Sequence, residues 1–176
     1  MKLEPADVLV NINSGTDLWA RLRRWAVGKY SHCFLYMGKW GKTPMLFESN
    51  GRGVVLQSLS NRYGQEVVVM RLKRVFDNKS VIDEAKKLAS DPQAYYDYSC
   101  LIWHIVPRVI FEKLGLNPPL KYQRNFAMVC SECIAEVFWR SGIEILPKNV
   151  VPFPGDFVSS PLLDKVWEGS LSNDLV

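Results

Sequence analysis

At 176 residues, with 48% apolar and 12% aromatic side chains, the chain holds enough nonpolar material for one well-buried core but is too short for two large domains, so a single α+β domain over 1–176 is expected. The formal charge of +4 is mild and, Arg21, Arg23 and Arg24 aside, the basic residues are scattered, which argues against a nucleic-acid partner. There is no apolar run of about 18 residues to predict a transmembrane segment, no secretory signal pattern, and no cysteine pattern like a disulfide framework. A cytoplasmic location is expected, with virion association or export by another route as the alternative.

Taken in order, Glu4-Pro5-Ala6-Asp7 opens a short strand over 8–12 that turns at Asn13-Ser14-Gly15. Thr16 or Asp17 then caps a helix to about Val27, with Leu18, Trp19, Leu22, Trp25 and Ala26 on one face and the arginines largely opposite. After Gly28 the period changes to two: His32, Phe34 and Tyr36 share one face of a strand, and Cys33, Leu35 and Met37 the other. Further strands are predicted over 44–49, over 54–57 after the turn signal Asn50-Gly51-Arg52-Gly53, and over 65–72, together a mostly antiparallel sheet. Ser80 and Asp83 read as a capping box for a helix ending at Ala89. Tyr95 to Tyr98 precede an apolar segment over 101–114 and a loop at Asn117-Pro118-Pro119; the tail carries Pro154-Gly155-Asp156 and a short apolar piece over 162–167.

The chemistry centres on Cys130. Cys130, Ile134, Val137 and Phe138 fall on one face of a helix that Gly142 stops, so the thiol is the first inward residue at a helix N-terminus. Free N–H groups and the helix dipole favour thiolate there, and the same N–H groups can hold an oxyanion. Read purely as packing, the same cysteine is a small core residue. A nucleophile needs a base, and the chain has two histidines. His104 lies among apolar neighbours, whereas His32 starts a strand beside turn residues and is the better base. Glu48, near the end of the next strand, is the natural group to orient the imidazole, with Asn50 and Gln57 as weaker substitutes.

These residues resemble the permuted papain-like cysteine hydrolases of the NlpC/P60 superfamily, in particular the YiiX/YebB-like branch, in which the histidine precedes the cysteine. The resemblance rests on Leu3-Glu4-Pro5-Ala6-Asp7-Val8-Leu9, Tyr30-Ser31-His32, Phe47-Glu48-Ser49, Cys130-Ser131-Glu132 and the late Pro154-Gly155-Asp156 with Ser160-Pro161-Leu162. Ala6 stands where the family often has glycine and Cys133 where it often has leucine. The resemblance implies a circularly permuted papain-like fold, a small antiparallel sheet against the cysteine-bearing helix. It implies Cys130 as nucleophile, His32 as base and acid, Glu48 as third member, and Tyr98, Tyr36 or Ser131 as substrate- or oxyanion-contacting groups. No metal or organic cofactor is implied. The expected activity is amide hydrolysis through a thioester, on peptide substrates such as peptidoglycan stem peptides. A lipid or thioester acyl hydrolase or acyltransferase is the alternative on the same fold.

Two other classes compete. Cys130 and Cys133 with His32 and Cys33 are four potential zinc ligands, but neighbouring strand residues point to opposite faces, and a redox Cys-x-x-Cys is expected after a strand in a βαβ unit. A non-catalytic binding module, such as a phage or virion assembly component, has no need of the three aligned groups.

Overall fold

The computed structural model describes residues 1–13, 28–50, 53–73, 77–92, 94, 111, 114, 129–148 and 151–176. The predicted helix over 16–27, Gly51 and Arg52, the aromatic run with Tyr98, His104, Cys100 and the loop at Asn117 lie outside the described residues.

Six strands form one antiparallel sheet among the described residues: β1 (Val8–Ile12), β2 (Tyr30–Trp40), β3 (Thr43–Asn50), β4 (Gly53–Ser58), β5 (Glu66–Leu72) and β6 (Leu163–Ser170). Their spatial order is β4-β3-β2-β1-β5-β6. The alternation along β2 sorts its residues between two cores, one on each face. Cys33, Leu35 and Met37 join Val8, Val10, Phe47, Val68 and Met70 beneath the helices. Phe34 and Tyr36 join Leu9, Leu46, Val67 and Val69 on the other face.

The first face is covered by α1 (Asn78–Ala89), α2 (Cys130–Arg140) and α3 (Pro154–Ser159). The cysteine helix α2 lies over β2 and β3 and against α1, while α3 packs on β1, β2 and β6. Ile134, Val137 and Phe138 of α2 are fully buried, and Gly142 ends the helix at φ 79°. That left-handed turn lets the Ile143 N–H donate to the Phe138 carbonyl at 2.9 Å.

The second face is closed by chain termini and by a crossover. β4 lies at one edge and β5 beyond β1, so the connection between them traverses this face. It forms a 3-10 turn at Leu59–Arg62 that buries Leu59 and brings the Arg62 guanidinium to 5.9 Å from the centre of the Phe34 ring. Leu171 and Leu175 complete the cover, and the Leu3 N–H donates to the Leu175 carbonyl at 2.7 Å.

One local expectation needs correction, and two segments of the tail take a definite form. Helix α1 starts at Asn78, two residues before Ser80, because the Asp77 carboxylate takes the Lys79 N–H at 3.1 Å and is the actual cap. The Pro154-Gly155-Asp156 stretch is a short helix whose Asp156 side chain accepts the Phe153 N–H at 2.7 Å. The final apolar piece is the edge strand β6, whose charges suit an exposed edge.

Ahead of β1, Ala6 is the only non-glycine with positive φ among the described residues, at 73°. The turn is locked by Asp7, whose buried carboxylate accepts the Glu4 N–H at 2.8 Å and Arg71 Nε and Nη2 at 2.8 and 2.7 Å. Among the described residues no helix is long and apolar enough to cross a membrane.

Candidate active site

Cys130 is the first residue of α2, after an N-cap, Val129, in extended backbone that offers no side-chain cap. The first bond of the helix ladder runs from the Cys133 N–H to the Val129 carbonyl at 2.9 Å. The N–H groups of Cys130, Ser131 and Glu132 therefore precede that ladder and give this end a positive potential.

The place the sulfur occupies is made by the sheet. The β2–β3 ladder is registered from Trp40–Thr43 to Leu35–Phe47 and goes no further along β2. Tyr36 directs its N–H to the Asp7 carbonyl on the β1 side, so by alternation Cys33 directs its own toward β3, where no ladder partner is registered. Cys130 interacts with this part of β2, through hydrogen bonds with the Cys33 thiol and backbone N–H and through its pairing with His32. His32 and Cys33 point to opposite faces, yet both interact with the Cys130 thiol.

His32 is oriented from its other nitrogen. Its Nε2 lies 2.7 Å from Glu48 Oε2, which leaves Nδ1 for the thiol. Glu48 is fully buried, and Arg62 Nη2 sits 2.6 Å from each of its oxygens. Asn50 Nδ2 donates to Oε1 at 2.8 Å, and Gln57 Nε2 donates to the same oxygen. Asn50 and Gln57 thus support Glu48 rather than replace it.

The charges follow from this arrangement. For Cys130, the Cys33 thiol hydrogen bond is the largest influence; with the His32 charge it overcomes burial and holds the thiol well below its ordinary range. For His32, burial opposes the cation, but the Cys130 charge and hydrogen bond together with Glu48 outweigh it and raise the imidazole to about 9. Burial likewise pushes Glu48 upward, and the hydrogen bonds from His32 and Arg62 bring it down to about 2. The pair therefore rests as thiolate and imidazolium over an ionised carboxylate.

The structure brings together Cys130, His32 and Glu48, with Cys130 9% exposed and the His32 side chain 20% exposed. Two expected groups are elsewhere or otherwise engaged. Tyr36 is 3% exposed within the second-face core, where burial raises its phenol and Tyr63 and Asp7 add to the shift; it does not reach the thiol. The Ser131 hydroxyl donates to the Pro152 carbonyl at 2.5 Å, so it ties α2 to the chain before α3 rather than facing an oxyanion. Tyr98 lies outside the described residues. Cys133 is fully buried and its thiol is pushed well up, first by burial, as suits an inert core residue.

Arg62 does not figure in the sequence reading, and Cys33 figures only as an inward strand residue and potential zinc ligand, not as a partner of the Cys130 thiol. A strand position beside the histidine was a usable signal for Cys33; the position of Arg62 depends on the crossover. An apolar cleft of about 560 Å³, lined by Ile145, Leu146, Pro147, Pro152 and Pro161 among others, contains none of the three central side chains.

No protein family's sequence model matches this chain, and no curated protein matches it. A solved structure does: the metalloprotein YiiX of Escherichia coli O157:H7 is 17% identical, with a TM-score of 0.67 over 97% of this chain and 100% of that one. The mixed α+β fold is YiiX-like.

Proposed function

We propose that this protein is a cysteine acyl hydrolase of the permuted papain-like, NlpC/P60 type, cleaving peptide amides such as those of peptidoglycan stem peptides. The observation that carries the reading is a thiol at a helix N-terminus paired with an imidazole that a fully buried carboxylate holds from its other nitrogen. A module used only for binding has no reason to keep such a carboxylate ionised in its interior.

In this reading the Cys130 thiolate attacks the acyl carbonyl carbon, and the displaced electron pair is held as an oxyanion against the N–H groups that open α2. As the tetrahedral species collapses, the His32 imidazolium gives its proton to the departing amine and a thioester remains on Cys130. Neutral His32 then takes a proton from water, whose oxygen attacks the thioester. The acid leaves, and thiolate and imidazolium are restored. Glu48 stays ionised throughout and fixes the ring through Nε2. A lipid or thioester acyl donor, or an amine acceptor in place of water, would use the same steps.

The YiiX neighbour is described as a metalloprotein. Among the described residues of this chain, no group of three or more His, Cys, Asp or Glu side chains forms a metal-holding arrangement, and the steps above use only side chains and backbone N–H groups of this chain.

The test is labelling of native protein with limiting iodoacetamide from about pH 4 to pH 10, the adduct being located by mass spectrometry in wild type and His32→Ala. Rapid modification of Cys130 well below the ordinary thiol range, lost in the variant, is expected and justifies screening amide and ester substrates. Slow, histidine-independent modification would sink the reading.

A further inference from the structure

We propose that Arg62 is a positioning residue of this site: a permanent counter-charge that keeps Glu48 ionised and aligned while His32 alternates between its charged and neutral forms. The inference rests on the acyl-hydrolase reading and adds to it a fourth charged member outside the expected three.

Four side chains meet the Glu48 carboxylate, and their chemistry differs. Asn50 and Gln57 are neutral amides. His32 is a cation only part of the time, since each turnover requires it to give up its proton and recover it. The guanidinium of Arg62 is the remaining partner, a planar delocalised cation that lies 2.6 Å from both oxygens through Nη2. Glu48 is 0% exposed. A carboxylate with that burial and only amides for company takes up a proton. Without Arg62, the neutral phase of His32 would leave exactly that environment, and the carboxyl group would lose its hold on the ring whenever the ring had to act as a base.

The placement of Arg62 supports this role. The crossover from β4 to β5 carries it beneath β2, where it lies over the Phe34 ring with its side chain 22% exposed. One nitrogen serves both carboxylate oxygens, while the buried Nε has no hydrogen-bond partner among the described residues. Satisfaction of its own donors does not explain where the guanidinium sits; the carboxylate does.

The sign of the effect follows from electrostatics. Removing a positive charge beside the His32–Glu48 pair raises the proton affinity of both members. The experiment is a pH titration by NMR of protein carrying 13C-labelled glutamate and 15N-labelled histidine, in wild type, Arg62→Gln and Arg62→Lys, with Glu48→Gln to assign the carboxyl signal. In wild type, Glu48 is expected to remain ionised straight through the His32 titration. In Arg62→Gln both inflections move up by at least about one pH unit, a tenfold change in proton affinity, and Arg62→Lys returns most of that shift. Superimposable titrations in wild type and Arg62→Gln overturn the proposal. So does a wild-type Glu48 that takes up a proton as His32 loses one, a result that requires no substitution at Arg62 and holds even where a variant does not fold. Iodoacetamide labelling of the same samples separates the two levels. An unreactive wild-type Cys130 removes the hydrolase reading and the role of Arg62 with it, whereas a reactive Cys130 with unchanged titrations removes the role of Arg62 alone.

Discussion

His32 and Glu48 divide the pH axis between them. The imidazole is raised from 6.5 to about 9, so the stability its cation contributes is complete below 6.5 and is lost as pH rises through about 9. Glu48 is lowered from 4.5 to about 2, so its contribution is complete above 4.5 and is lost as pH falls through about 2. Urea midpoints measured down the acid range should therefore fall in wild type below pH 4.5, and fall less in Glu48→Gln. Hydrolysis should decline above about pH 9, where the imidazolium is lost, while alkylation of Cys130, which needs only thiolate, should not; paired pH profiles of the two rates decide this. Cys130→Ala and His32→Ala should each lower kcat/KM by at least about a thousandfold and leave the circular-dichroism spectrum unchanged. Ser131→Ala tests the reassignment of that hydroxyl. Leaving the Pro152 carbonyl without its donor should cost about 1–3 kcal/mol by urea denaturation, and kcat should stay within about threefold of wild type, since the backbone N–H groups remain.

At the scale of elements, what could be read in advance was whatever local periodicity encodes. The period-two run through His32 to Met37, the turn before Val54 and the Cys130 helix with its Gly142 stop all lie in short windows, and they located the thiol, the imidazole and the carboxylate that the fold brings together. Arg62 and Cys33 were not legible in the same way. The role of Arg62 depends on a crossover beneath the sheet, and that of Cys33 on where the β2–β3 ladder ends; both are set by residues distant in the chain. Tyr36 was misjudged for a related reason. Alternation placed it on the His32 face correctly, but the closure of that face by Leu171 and Leu175 has no local signal at Tyr36. The turn before β1 offers a direct test. Ala6 tolerates a left-handed backbone only because its side chain is a single methyl, so Ala6→Val should cost about 2 kcal/mol or more in urea denaturation.

For the molecule as a whole, the site runs through the sheet instead of lying on it. The thiol comes from the helical side, and the guanidinium that braces the carboxylate rests on the opposite core. Damage to that far core should then be felt at the sulfur. Deleting residues 171–176 removes buried Leu171 and Leu175, worth about 1.5–3 kcal/mol each. It should lower the urea midpoint and, at concentrations where the protein is still folded, slow iodoacetamide modification of Cys130.

The chain order of these groups also bears on synthesis. His32, Glu48, Asn50, Gln57 and Arg62 all emerge from the ribosome well before Cys130. In chain order the strands and 3-10 turn that carry the imidazole, carboxylate and guanidinium are thus complete before any of α2 is made, and on the proposed reading the site gains its nucleophile only when α2 docks. On the proposed reading, reactivity towards an electrophile would report completed tertiary structure: a stalled or truncated chain ending before the cysteine helix carries the imidazole and its supports but no thiol for them to act on.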